Sequence, residues 1–238
     1  MHDALPLLMV PGLLCDARVF EPQSASLANV IALAGHGTRD SLGEMADAIL
    51  ADSPPRFALL GHSMGARVAM EIWRRAPERI DRLALVSTGT HLPREGEAAK
   101  RHELLDLGRC EGAGALVDAW LPPMFAPAHR GDAALVNPIR TMCVEQGVDA
   151  YAAQIAALLT RPEIDSLLPA IGVPVLVAVG EHDGWATPEQ HAAFAARIPG
   201  ATLTIIPGAG HMLPVEAPGP FNAAIRDWLA APSSTGDA

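Results

Sequence analysis

Six short runs of the chain are apolar at nearly every position: 6–10 (PLLMV), 30–34 (VIALA), 56–61 (RFALLG), 82–87 (RLALVS), 173–180 (VPVLVAVG) and 201–207 (ATLTIIP). A strand with one face in water alternates apolar and polar residues; a strand covered on both faces does not. The runs therefore predict strands of a parallel sheet sandwiched between helices. The segments between them supply the helices, with helical spacing over 41–52, 64–76, 187–197 and 218–230. Ser41 followed by Glu44 reads as a capping box, and Thr187-Pro188 as an N-cap with proline at the first helical position. Strands alternating with helices define an α/β fold with one mostly parallel sheet of about six strands, helices on both faces.

That rhythm stops between 91 and 170. Helical patterns take over at 94–108, 112–120, 131–145 and 147–160, interrupted by WLPPMFAP at 120–127. A helical insertion after the fourth strand is expected to form a cap over the strand ends. The expected division is a core of 1–90 and 171–232, a cap of 91–170 and a C-terminal tail of 233–238. Of the 238 residues 50% are hydrophobic and 18% charged, which suits a compact domain and excludes a disordered one. A net charge of −10 makes nucleic acid and anionic membrane surfaces poor partners. Cys15, Cys110 and Cys143 form neither a disulfide framework nor a zinc pattern. No apolar run nears the ~20 residues of a membrane span, and MHDALPLLMV lacks the basic and long apolar parts of a signal peptide. A cytoplasmic location is the expectation.

Gly61-His62-Ser63-Met64-Gly65 lies between a strand-like run and a helix-like one. Gly-X-Ser-X-Gly in that setting is a nucleophile elbow, a tight strained turn that lifts the serine oxygen above the sheet. Side chains at Gly61 and Gly65 would strike neighbouring backbone. A serine hydroxyl needs a base, and the base needs an orienting acid. Asp183, just past the strand 173–180, is the candidate acid; Glu181 competes but stands nearer the strand end. His211, in the glycine-rich stretch after the last strand, is the candidate base. His2, His36, His91, His102, His129 and His191 read as surface residues, and His62 and His182 as structural or pocket-wall groups. Two backbone amides should bind a developing oxyanion, one from Met64 after the nucleophile and one from Leu13 in the loop after the first strand.

VPGLL, GHSMG, a helical insertion, GEHD and GAGHMLPVEAP, in that order, resemble the α/β-hydrolase superfamily across essentially the whole chain. Among its members the chain looks most like small bacterial esterase-like proteins, including the carrier-protein methyl ester esterase of biotin synthesis and the enol-lactone hydrolases. The resemblance implies a Ser63–His211–Asp183 triad, an acyl-enzyme and no metal or organic cofactor. Two departures stand out. Pro11-Gly12 replaces the family's usual His-Gly, and the usual first two strands have no counterpart, so an exposed sheet edge is expected, which a second copy could cover as a homo-oligomer. Trp120, Met124, Phe125 and Trp185 are candidate pocket walls. No cation stands out beside the motifs, so the expected substrate is a small-molecule ester, apolar or of modest size. Lactone, carbon–carbon bond or perhydrolysis chemistry would use the same residues, and a non-catalytic receptor is the alternative from another class.

Overall fold

The computed structural model describes residues 5–232; the tail expected at 233–238 and His2 lie outside the described residues. The elements run β1 (Leu7–Val10), α1 (Glu21–Ser24), β2 (Val30–Ala32), α2 (Leu42–Asp52), β3 (Phe57–His62), α3 (Met64–Arg75), β4 (Ile80–Val86), α4 (Glu97–Glu111), α5 (Ala113–Trp120), α6 (Ala133–Leu159), β5 (Val175–Gly180), α7 (Pro188–Ala195), β6 (Thr202–Ile206), α8 (Leu213–Glu216) and α9 (Pro218–Ala230). The six strands form one sheet in the order β2-β1-β3-β4-β5-β6, and every pairing is parallel. β1 lies next to the edge strand β2, and from β3 the strands follow in chain order to the opposite edge, β6.

The residues of β1, β3 and β5 are buried throughout, as continuous apolar runs between two helical layers require. At the edges, β2 and β6 are partly exposed, with Ile31 and Ile205 among the exposed large apolar side chains. Register aligns the strands' carboxyl ends: Val10 lies beside Gly61, His62 beside Val86, and Gly180 beside Ile206. Loops leaving this single edge are thereby brought together.

Helix starts follow local chemistry. Ser41 Oγ accepts from the Gly43 and Glu44 amides at 3.2 and 3.5 Å, and Thr187 Oγ1 from the Gln190 amide at 3.4 Å. The return bond of a full capping box, donated by the Ser41 amide to the Glu44 carboxylate, is absent among the described residues. The helical stretch between β4 and β5 comprises α4, α5 and α6. α6 turns sharply at Gly147, whose φ of 84° and ψ of 170° are non-helical, so 133–146 and 148–159 are two helical pieces. Side chains from α4, α5 and α6, among them Leu105, Leu116, Met142 and Tyr151, share one continuous apolar cluster with those of the strands.

Candidate active site

Ser63 occupies the turn between β3 and α3 with φ 55° and ψ −117°, a sparsely populated conformation for a residue with a side chain. Surrounding structure enforces it. A Cβ on Gly65 would lie 2.1 Å from the Val10 carbonyl oxygen, and one on Gly61 would lie 2.4 Å from the Gly65 oxygen. No side chain fits at either position, so the turn closes only with glycine there. The Ser63 amide donates to the Val86 carbonyl at 2.8 Å, and the Thr88 hydroxyl donates to the Ser63 carbonyl at 3.1 Å.

His211 Nε2 lies 2.8 Å from Ser63 Oγ, and His211 Nδ1 lies 2.9 and 3.1 Å from the two Asp183 oxygens. A carboxylate only accepts, so Nδ1 carries the proton and Nε2 is free to accept from the serine hydroxyl. Asp183 Oδ1 also accepts from the Trp185 and Ala186 amides, both at 2.9 Å. Burial alone would raise the Asp183 carboxyl; His211 and the two amides outweigh it and hold it below the usual range. The imidazole is fixed from behind as well. The His211 amide donates to the Met124 carbonyl at 2.8 Å, and His62 Nε2–H donates to the His211 carbonyl at 2.9 Å.

The residues expected from sequence separate into those at this centre and those away from it. Ser63, His211, Leu13, Met64, Trp120, Met124 and Trp185 line a single cavity of about 460 Å³. Met64 is the first residue of α3, where the amide has no partner within the helix. Among the described residues neither its amide nor that of Leu13 donates to a protein acceptor. Phe125 is not in the cavity wall. It follows Met124 with an extended backbone, and its ring is buried in the core cluster. Glu181 turns away from His211, its Oε2 accepting from the Gly208 amide at 3.0 Å.

Two histidines read as surface residues are buried. His36 Nε2–H donates to the Pro11 carbonyl at 2.9 Å, filling a hydrogen-bonding need of the loop that carries Leu13. His191 receives the Thr88 amide at Nε2 and donates from Nδ1 to the Thr187 carbonyl, both at 3.0 Å. Burial is the first cause that lowers the pKa of each. Sequence reasoning also passed over Glu216. Its buried carboxylate accepts from the Ala126 amide at 2.8 Å, the Gly210 amide at 3.0 Å and His129 Nδ1 at 2.9 Å. A glutamate five residues after His211 and beside prolines was the available signal.

A sheet whose carboxyl edge gathers an elbow serine, a histidine and an aspartate defines a hydrolase class, and the comparisons agree. The sequence profile of the Alpha/beta hydrolase family matches residues 7–224, and the chain belongs to that family. An esterase from Thermogutta terrifontis, solved with malate bound, is 28% identical with a TM-score of 0.86, covering 94% of this chain and 89% of that one. The enol-lactonase of Burkholderia xenovorans LB400 is 27% identical with a TM-score of 0.83, covering 96% and 92%. A Bacillus subtilis (strain 168) protein provisionally named 2-succinyl-6-hydroxy-2,4-cyclohexadiene-1-carboxylate synthase is 29% identical over 187 residues, 74% of this chain and 66% of that protein's length. No helix among the described residues is long and apolar enough to cross a membrane.

Proposed function

We propose that the protein is a serine hydrolase that cleaves a carboxylic ester through an acyl-enzyme. The observation that carries this reading is the unbroken hydrogen-bonded path from Asp183 through His211 to Ser63 on the wall of a cavity. Ser63 Oγ attacks the ester carbonyl carbon while His211 Nε2 takes the hydroxyl proton. Asp183 holds the imidazole with Nδ1 protonated and stabilises the cation that forms. The Leu13 and Met64 amides donate hydrogen bonds to the negative charge developing on the carbonyl oxygen; one such donor is worth about 3 kcal/mol. The bond to the leaving oxygen breaks, and the alcohol departs with the proton from His211. Water, deprotonated by the same imidazole, then attacks the acyl carbon and releases the acid and Ser63.

Supporting the ester class is the likeness to the Thermogutta terrifontis esterase. The enol-lactonase likeness favours a second reading, ring opening of a lactone by the same steps. Labelling with a fluorophosphonate followed by peptide mass spectrometry tests the nucleophile. The adduct is expected on Ser63 and is expected to vanish in His211→Ala, with ester turnover falling roughly 10³-fold or more. An unlabelled Ser63 overturns the proposal. A panel of 4-nitrophenyl esters beside simple lactones separates the two readings, and turnover confined to lactones selects the second.

A further inference from the structure

The cavity gathers positive charge in an acidic chain. The sequence holds 17 Lys and Arg against 27 Asp and Glu. Yet Arg67, Arg94, Lys100, Arg101 and Arg161 line the cavity, against only Glu95 and Glu97. Glu97 is already engaged, 2.7 Å from Arg161 and 3.0 Å from Arg101. Arg161 also donates to the His91 carbonyl at 3.0 Å and the Leu158 carbonyl at 2.7 Å. Arg161 ties α4 to the segment after α6, and Arg101 pairs with Glu97 within α4.

Arg67 differs. It lies on α3 four residues after Ser63, and both residues line the same cavity. It is only 4% exposed. Nη2 donates to the His91 carbonyl at 2.5 Å, but Nη1 is buried with no protein partner, and Arg67 joins no ion pair among the described residues. A buried guanidinium with an idle donor is costly. Burial first and the Arg161 charge second push its pKa down to about 9, against the pull of Asp165 and Glu97. A second idle group lines the same cavity. Ser87 Oγ is fully buried without a protein partner, on a residue held at a φ of 48° just after β4. The adjoining Thr88 is fixed by His191 and the Ser63 carbonyl, so this wall is rigid.

We propose that Arg67 Nη1 and Ser87 Oγ form a subsite for a substrate carboxylate beside Ser63, so that the enzyme prefers half-esters of dicarboxylic acids. A charged donor and a hydroxyl suit the two oxygens of a carboxylate, and an anion there occupies the idle Nη1 donor, which the nearby Asp165 charge leaves without a hydrogen bond. The cavity volume of about 460 Å³ lies in the range of small-molecule sites. The subsite selects a charged ester within the apolar or modest-sized range expected from sequence, and it rests on the ester-hydrolase reading above.

The test compares 4-nitrophenyl half-esters of succinate, glutarate and adipate with their methyl-capped diesters. Glutarate binding to Ser63→Ala is measured in parallel by calorimetry. The best half-ester is expected to exceed its capped partner in kcat/KM by about tenfold to a hundredfold, the worth of one charged hydrogen bond. Arg67→Met is expected to collapse that ratio toward one, and Arg67→Lys to keep part of it. The wild-type ratio needs no variant, so a misfolded Arg67→Met leaves the test intact. Equal turnover of half-esters and capped esters in the wild type overturns the subsite and leaves ester hydrolysis standing. Glutarate binding that disappears when Arg67→Met is added to Ser63→Ala, with no ester turned over by the wild type, upholds the subsite and overturns the ester reading. Neither binding nor turnover overturns both.

Discussion

His62 lies inside the elbow yet takes no part in the path from Asp183 to Ser63. Its ring is buried, Nε2–H props the His211 carbonyl, and Nδ1 has no protein partner. Desolvation first and the neighbouring His211 second push its pKa down to about 4. Between pH 6.5 and 4 the unfolded chain takes up a proton that the fold refuses, so stability is full above pH 6.5 and falls as the pH drops. A move from 6.5 to about 4 corresponds to a loss of up to roughly 3 kcal/mol. Urea unfolding across this range is expected to show the decline, and His62→Gln, which keeps one donor, is expected to flatten it. A slope identical in the variant refutes the assignment. His36 and His191 act in the same direction, but their burial was hidden from sequence. A histidine in a loop or on a helix is indistinguishable from a surface one until the carbonyl or amide it satisfies, at Pro11 or Thr88, folds onto it. Arg67 was hidden in the same way, because a helical arginine reads as solvated until His91 and Arg161 arrive from far along the chain.

At the scale of elements the apolar runs were legible, and the strands they became differ from them by no more than two residues at either end. Burial on both faces leaves few alternatives for such runs, whereas β6, an edge strand, is buried only at Ile206. The division of the long helical stretch near 146 was legible too, since Gly147 tolerates a backbone that other residues do not. A Cβ at Gly147 meets nothing within 4 Å, so substitution there probes backbone energy alone. Gly147→Ala is expected to cost about 1–3 kcal/mol, roughly 2–6 °C in Tm for a chain of this size, measured by differential scanning calorimetry. An unchanged Tm would mean that the break in α6 is not held by this residue. Gly65 presents the opposite case, where free space rather than torsion is lacking.

Across the whole molecule, the order serine, aspartate, histidine was readable because each follows a strand and all strands point the same way. What could not be read was the cavity's charge, assembled from α3, α4 and the segment after α6. The helices between β4 and β5 share one apolar cluster with the sheet, so they are expected to unfold with it. Loss of ester turnover, tryptophan fluorescence and far-UV circular dichroism should superimpose in a urea titration; activity lost well before the other two signals would contradict this. The Met124 carbonyl, which accepts from the amides of His211 and Met212, ties that helical region directly to the loop bearing His211, the proposed base. Swapping 91–170 for a relative's version to admit a different substrate would therefore retune proton transfer along with fit. A graft that keeps residues 122–126 native isolates selectivity from rate.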